Sequence, residues 1–187
     1  MSEMGQLAVI IASVRKDRIG PMVARWFLSR VQANTAAAVD VIDLADLDLP
    51  DDLGGGGDTE IFAKRIDRAD AIVVVTPEYN RGYPGALKTA IDSVLPEWRA
   101  KPIGFVSYGG ISGGLRAVEQ LRMIFAELHV VTVQAAVSLP HVWDQFDEHG
   151  NLRQPERPGS AADTLLRQLA WWGRTLREAK AQRPYDG

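Results

Sequence analysis

Short apolar runs alternate along the chain with longer stretches in which apolar residues recur at helical spacing. Five of the short runs are rich in Val, Ile, Ala and Leu, which is typical of strands buried in a parallel sheet. They cover residues 7–12, 39–44, 71–76, 102–107 and 130–139. The stretches between them predict helices that begin near residues 21, 60, 84 and 160 and directly after residue 114. Strands that alternate with helices predict an α/β domain whose parallel sheet has helices on both faces.

Five strands in this alternation favour a flavodoxin-like, doubly wound sheet with the strand order 2-1-3-4-5. The chain of 187 residues is predicted to form a single domain, because no linker or repeat interrupts the pattern. In this order, the loops after strands one, three and four open at the carboxyl edge of the sheet, where open α/β sheets bind ligands. We call residues 13–20 the first loop, residues 77–83 the second loop and residues 108–114 the third loop.

Individual residues predict where some elements begin and end. Pro77 has no N–H and is expected to end the third strand. The helix after the second loop is expected to extend to Leu95. Ser160 can cap the last helix, with Asp163 in the first turn of that helix.

Composition excludes several classes of function. Cysteine is absent, which excludes disulfides and a thiolate nucleophile, so redox work would need a bound cofactor. The three histidines lack metal-ligand spacing, and we expect no metal site. A net charge of -3 with scattered cations predicts no nucleic-acid partner. No apolar run could span a bilayer and the N-terminus does not resemble a signal peptide, so we expect a cytoplasmic protein without a membrane partner.

The first loop predicts an anion site. It carries the hydroxyl of Ser13, the cations Arg15 and Arg18, and Gly20 at the start of a helix. Helix N–H groups attract an anion, and an arginine can hold a phosphate with two hydrogen bonds. The loop matches neither the nucleotide P-loop nor the Gly-x-Gly-x-x-Gly pattern, which favours a monophosphate. A solvated basic turn is the alternative interpretation.

The second loop predicts a slot for a flat heterocycle. Backbone N–H groups of residues 78–80 could donate to ring carbonyls and a ring nitrogen, and Tyr79 or Tyr83 could pack against the ring. The alternative is an ordinary surface turn. Lys88 and Asp92 lie one turn apart on the following helix and are expected to form a structural pair.

The third loop is rich in glycine. Gly109, Gly110, Gly113 and Gly114 have no Cβ, so this loop could bring backbone N–H groups close to a ligand. Such fixed dipoles would stabilise negative charge that develops on the ligand.

The third loop also permits a different class of enzyme. Residues 110–114 spell Gly-x-Ser-x-Gly, the nucleophile elbow of serine hydrolases, with Ser112 as the nucleophile. Asp144 or Asp147, followed by His149, would complete a triad in the hydrolase order. This interpretation leaves the two arginines of the first loop without a role.

Residues 76–92 resemble the signature loop and helix of the NADPH-dependent FMN reductases. These are flavodoxin-like flavoproteins related to azoreductases, quinone reductases and chromate reductases. The matching positions are Thr76-Pro-Glu-Tyr-Asn80, Gly82-Tyr-Pro-Gly-Ala-Leu-Lys88 and Ala90-Ile-Asp92. The first loop is similar to the family's phosphate loop, Gly-Ser-Thr-Arg-Pro-Gly-Arg-x-Gly, with Ala12 in place of the first glycine and Lys16-Asp17 in place of Pro-Gly. Ser107-Tyr-Gly-Gly110 resembles the family's turn at the pyrimidine end of the flavin.

The resemblance implies a reductase that holds FMN and takes a hydride from NADPH or NADH. The acceptor would be a small molecule such as a quinone, an azo compound, a metal oxyanion or free flavin. No side chain would need to act as an acid or base in the hydride step. The residues expected to bind the cofactor are Ser13, Arg15, Arg18, Ile19, Gly20, Pro77, Glu78, Tyr79, Asn80, Tyr108, Gly109, Gly110, Ser112 and Gly113.

Members of this family are commonly dimers or tetramers, so the resemblance implies a homodimer or homotetramer. The helices after the second and third loops are candidate contacts, together with Trp98, Trp143 and Phe146. Packing of these aromatic residues within loops is the alternative. A flavodoxin-type electron carrier is a further alternative, but Arg15 and Arg18 favour a site that accepts a whole hydride, because carriers keep the flavin site negative.

Overall fold

The computed structural model describes residues 4–186 as a parallel sheet between two layers of helices. The strands follow the order β2-β1-β3-β4-β5, which confirms the predicted flavodoxin-like sheet. They are β1 (Gln6–Ile11), β2 (Ala38–Asp43), β3 (Ala71–Pro77), β4 (Pro102–Tyr108) and β5 (Val131–Leu139). The helices are α1 (Gly20–Asn34), α2 (Thr59–Arg68), α3 (Gly85–Asp92), α4 (Leu115–Glu127), α5 (Val142–Gln145) and α6 (Glu156–Gln182). Residues 1–3 and 187, which the single-domain prediction includes, lie outside the described residues.

Alternate residues of the central strands join two separate hydrophobic clusters, one on each face of the sheet. Val73 and Val75 of β3 pack in the cluster that contains α1 and α6. Ile72 and Val74 pack in the cluster that contains α2, α3 and α4. Every residue of β3 is buried, because helices cover both faces, and this explains why the strand is apolar throughout. Within residues 4–186, no helix is long and apolar enough to cross a membrane.

Two of the aromatic residues named as candidate oligomer contacts are part of the chain's own core. Trp98 is 0% exposed, packs edge-on between Phe62 and Phe125, and donates its ring N–H to the carbonyl of Ile91 at 3.0 Å. Phe146 is also buried. The prediction was therefore wrong for these two residues, whereas Trp143 is 69% exposed and remains a candidate.

The last helix begins earlier than predicted. Helix α6 starts at Glu156, so Ser160 lies in its second turn and does not cap it. Pro158 falls in the first turn, where a missing N–H leaves no hydrogen bond unmade, and so it does not break the helix. Asp163 is therefore not in the first turn, and its carboxylate accepts two hydrogen bonds of 2.7 Å from Arg30 of α1.

The end of β3 agrees with the sequence prediction except for one further hydrogen bond, whereas the end of α3 differs from it. Pro77 is the last residue of β3, opposite Tyr108, and the N–H of Glu78 then donates to the Tyr108 carbonyl at 3.0 Å. The pairing therefore continues past the proline, which needs no donor at this register. Helix α3 ends at Asp92, and Leu95 lies beyond it with 52% of its surface exposed.

Candidate functional site

A cleft of about 800 Å³ lies at the carboxyl edge of the sheet, where the first and second loops meet the end of β4. The predicted cofactor-binding residues that line it are Ser13, Arg15, Arg18, Ile19, Pro77, Glu78, Tyr79, Asn80, Tyr108 and Gly109. The structure thus brings these residues together, as the predicted strand order requires.

Four predicted residues lie outside this lining. Gly20 is buried at the start of α1, behind Tyr108. Ser112 lines a neighbouring groove of about 650 Å³, and Gly110 and Gly113 belong to the turn beside it. Their contact with a cofactor stays a prediction.

The cleft also contains residues that the sequence prediction omitted. Lys16 and Asp17 belong to the first loop, and Met22 lies in the first turn of α1. Val142 and Trp143 follow β5, which ends at the same edge of the sheet as β1, β3 and β4. The parallel order of the sheet was the signal that could have included them.

Arg18 is held by the protein itself. Its guanidinium donates to both carboxylate oxygens of Asp43, at 2.5 and 2.7 Å, and to the carbonyl of Ser13 at 2.7 Å. The hydrogen bond to Asp43 raises the pKa of Arg18, although burial opposes it. Arg18 therefore fixes the start of the first loop to the end of β2, and its direct contact with a phosphate stays a prediction.

Arg15 has different surroundings. It is exposed, and its guanidinium lies over the ring of Tyr79, 5.3 Å from the centroid, as in a cation–π contact. The hydroxyl of Tyr79 in turn lies 2.5 Å from the hydroxyl of Ser13. These contacts join the first and second loops, and Arg15 makes no ion pair with any of the described residues while it lines the cleft.

The amino end of α1 completes the first-loop side of the cleft. The residue before the helix is Ile19, and no side chain among the described residues caps the helix. Pro21 has no N–H, and the N–H groups of Met22 and Val23 donate to the carbonyl of Ile19, so the N–H of Gly20 is the one without an acceptor among the described residues. An exposed arginine next to this end of the helix favours an anion here.

The second loop is a tight turn in which several backbone N–H groups are already hydrogen-bonded within the protein. Tyr79 and Gly82 exchange backbone hydrogen bonds of 2.9 and 3.0 Å, and both Asn80 and Arg81 have positive φ angles, 49° and 72°. The N–H of Glu78 is bonded to Tyr108. The expectation that residues 78–80 all offer N–H groups to a ring was therefore wrong for Glu78 and Tyr79. The N–H of Asn80 has no acceptor within the described chain and stays a predicted donor.

The side chain of Glu78 connects the second loop to the third. Its carboxylate accepts from the Ser112 hydroxyl at 2.6 Å, from the Arg116 N–H at 3.2 Å and from the Arg116 guanidinium at 2.9 Å. Burial raises the pKa of Glu78, but the hydrogen bonds from Ser112 and Arg116 outweigh it and hold the pKa below its ordinary value. The carboxylate is therefore ionised at neutral pH and acts as a clamp between the two loops.

This clamp also bears on the hydrolase interpretation. A serine nucleophile needs a base that takes its proton, yet Ser112 donates to Glu78, whose lowered pKa makes it a weak base. None of the hydrogen bonds that the described residues make joins a histidine to Ser112, and His149 contacts Glu148 at the surface. Residues 110–114 therefore form a structural turn, and no triad is assembled around it.

Comparison with known proteins places this chain in a family. The family profile of the NADPH-dependent FMN reductases matches residues 6–144. An NAD(P)H-dependent FMN reductase of Schizosaccharomyces pombe is 36% identical over 148 residues, which cover 72% of this chain and 74% of the relative. A quinone reductase of Escherichia coli is 35% identical over 142 residues, which cover 71% of this chain and 76% of the relative.

Solved structures confirm the fold. The flavoenzyme NAD(P)H:(acceptor) oxidoreductase FerB of Paracoccus denitrificans superimposes with a TM-score of 0.74 at 22% identity. The match covers 91% of this chain and 97% of FerB.

Proposed function

Because the chain belongs to the family of NADPH-dependent FMN reductases, we propose that it is an oxidoreductase that binds FMN in the cleft between the first and second loops. NADPH or NADH is the electron donor and a small molecule is the acceptor. The first-loop end of the cleft carries this proposal, since it combines donors for a phosphate with an adjoining aromatic wall.

The described residues fit a flavin phosphate. Arg15 is exposed at the first loop, and α1 begins there without a side-chain cap among residues 4–186. The hydroxyl of Tyr108 is buried at the same place and has no hydrogen-bond partner within the described residues. A dianionic phosphate satisfies donors of these three kinds.

Bound FMN supplies the redox chemistry, in which a hydride is accepted from the nicotinamide and electrons are passed to the acceptor. The chain's own residues bind and orient. The first loop would hold the phosphate and the N–H of Asn80 would be available to the ring, while the clamp at Glu78 fixes the second loop against the third. No side chain acts as an acid or base in the hydride step, because a hydride carries its own electron pair.

A quinone is the acceptor best supported, because relatives that are about one third identical are quinone reductases. Azo compounds, metal oxyanions and free flavin remain further acceptors to test.

We also propose a homodimer or homotetramer, with contacts through α3, α4 and Trp143. Apolar side chains exposed on and before α4 support this, namely Ile111, Leu115 and Met123. The cytoplasmic location stays a prediction.

The test is to purify the full chain, record its visible spectrum and identify the cofactor released by denaturation. Oxidation of NADPH and NADH is then followed with 1,4-benzoquinone. We expect a yellow protein that releases FMN, with parallel reciprocal plots, because donor and acceptor enter the same cleft in turn.

Ser112→Ala should keep reductase turnover within about tenfold, since it removes one hydrogen bond outside the cleft. A colourless protein whose sole activity is ester hydrolysis, lost in Ser112→Ala, would overturn the proposal.

A further inference from the structure

The hydroxyl of Tyr108 is a buried polar group without a partner. Tyr108 is 4% exposed, and its Oη has no partner at hydrogen-bonding distance among the described residues, although the Ser13 hydroxyl is near enough to act on its pKa. A buried hydroxyl without a partner is destabilising, and buried polar groups in native proteins are nearly always hydrogen-bonded. The position of this hydroxyl therefore calls for a partner that is not part of the chain.

The ring of Tyr108 carries this hydroxyl from the end of β4 to the first loop. Gly20, the first residue of α1, comes so close that a Cβ there would lie 2.8 Å from the Tyr108 hydroxyl. Tyr108 also shares the lining of the cleft with Ser13 and Arg15. The hydroxyl of Ser13 is already 2.5 Å from that of Tyr79. The glycine at position 20 thus leaves space for a hydroxyl at the amino end of a helix.

The surroundings define the chemistry of the missing partner. Burial raises the pKa of the Tyr108 hydroxyl and the nearby Tyr79 adds to this effect, which outweighs the opposing effects of Ser13 and Arg18, so the group stays protonated and is a donor. The amino end of α1 and the guanidinium of Arg15 both favour an anion at this place. A donor in such surroundings is matched by an anionic oxygen.

We propose that Tyr108 donates its hydroxyl hydrogen to the phosphate of the bound flavin and thereby helps the cleft to discriminate FMN from riboflavin. The inference rests on the proposed function, since it requires FMN in this cleft. It assigns the side chain of Tyr108 to the phosphate end, although the sequence resemblance places the backbone of the same segment at the pyrimidine end. One residue at the end of β4 would then contact two parts of the cofactor.

Tyr108→Phe tests the proposal because it removes the hydroxyl and keeps the ring. Tyr185→Phe is the matched control, since the hydroxyl of Tyr185 lies 2.8 Å from His129 Nδ1 and does not line the cleft. Affinities for FMN and riboflavin are measured by quenching of flavin fluorescence on the full chain freed of flavin. The thermal midpoint is measured without flavin.

We expect Tyr108→Phe to weaken FMN about tenfold, which corresponds to about 1.4 kcal/mol. Riboflavin binding should change less than about twofold, because riboflavin has no phosphate. The flavin-free midpoint should stay equal or rise, because the variant removes a hydroxyl without a partner. A hydroxyl with a purely structural role would lower that midpoint instead.

Three results would overturn the inference. Unchanged FMN affinity in Tyr108→Phe would mean that the phosphate does not meet the hydroxyl. An equal loss for FMN and riboflavin would assign the hydroxyl to the ring or to the general shape of the cleft. A parent protein that binds neither flavin would contradict the proposed function itself, and that failure is distinguishable because it appears before any variant is made.

Discussion

The two arginines of the first loop, Arg15 and Arg18, have different contacts, and we expect them to have different roles. Arg18 is bound to Asp43 and to the carbonyl of Ser13. Arg15 lies over Tyr79 and makes no ion pair with a residue in the described part of the chain. We therefore expect Arg15 to bind the phosphate and Arg18 to hold the loop in shape.

Arg15→Ala should weaken FMN by at least about tenfold, because a hydrogen bond to a charged group contributes about 1.5–3 kcal/mol. Riboflavin should be nearly indifferent to the change. Lys64→Ala is the control, because it removes the same charge from the exposed surface of α2, where Lys64 pairs with Glu60. Fluorescence titration with both flavins gives the affinities, and equal binding of FMN and riboflavin by the parent would refute the assignment.

Glu78→Gln should destabilise the protein, because the amide keeps the size of the carboxylate and loses its charge. The side chain of Glu78 is 8% exposed, and we expect a loss of about 1–3 kcal/mol in the free energy of unfolding near neutral pH. Urea unfolding of the parent and the variant measures it. Glu60→Gln is the control, since the Glu60 side chain is 82% exposed. The loss of its charge should lower the free energy of unfolding less than the loss of the charge on Glu78.

The difference in the free energy of unfolding between the parent and Glu78→Gln should depend on pH, and the sign of that dependence follows from the pKa of Glu78. The pKa of Glu78 is lowered from its ordinary value of 4.5, so the folded state binds the proton less readily than the unfolded state. The stabilisation by Glu78 is fully present above about pH 4.5 and is lost as the pH falls through the folded pKa. The difference in the free energy of unfolding between the parent and Glu78→Gln should therefore become smaller as the pH falls below about 4.5. A gap that widened there would show that the carboxylate is not stabilised by its charge.

At the scale of elements, the glycines of the third loop are of two kinds, which differ in whether a side chain could be accommodated. Gly113 and Gly114 have φ angles of 59° and 90°, and a Cβ on either would lie 2.8 Å from a backbone nitrogen. At Gly110 a Cβ would meet no described atom within 4 Å, and at Gly109 its nearest contact would be an ordinary 3.6 Å. The first pair is required by the turn itself, whereas the second pair leaves space beside the ligand cleft.

Gly114→Ala should therefore lower the free energy of unfolding by about 1–3 kcal/mol or more, from left-handed backbone strain and steric overlap. Gly110→Ala should leave stability within about 0.5 kcal/mol. Denaturant unfolding of the two variants makes the comparison, with flavin affinity measured beside it. Equal destabilisation of both variants would mean that the turn differs from the one described.

The start of α6 gives a second prediction at this scale. Ser160→Ala should change the free energy of unfolding by less than about 0.5 kcal/mol, since Ser160 does not cap the helix. Asp163→Ala should cost about 1 kcal/mol, because it breaks a partly shielded pair with Arg30. Thermal or urea unfolding distinguishes them. A larger loss for Ser160→Ala, of the size known for N-caps, would place the helix start where the sequence pattern suggested.

For the whole molecule, the sequence predicted most of what depends on periodicity. The alternation of apolar strands and helices led to the order 2-1-3-4-5, and that order brought Arg15, Tyr79 and Tyr108 to one edge. The pairing of Lys88 with Asp92 was also predicted correctly, because residues one helical turn apart must be neighbours.

What the sequence could not supply depends on contacts between distant residues. Asp43 follows Arg18 by 25 positions, and Arg116 follows Glu78 by 38. No local pattern marks such pairs, because their meeting depends on the packing of separate elements. For the same reason, the sequence could not reveal that the N–H groups of Glu78 and Tyr79 are already engaged.

The cleft draws its walls from much of the chain, from Ser13 to Trp143. The third loop is bonded to the end of β5 and to the segment after it, since the N–H of Gly109 donates to the Leu139 carbonyl at 3.2 Å and the N–H of His141 to the Gly110 carbonyl at 2.9 Å. A nascent chain that has left the ribosome only as far as β4 lacks these partners. Capture of the cofactor is thus expected late in translation, after β5 has emerged, and a chain stalled before that point would remain an apoprotein.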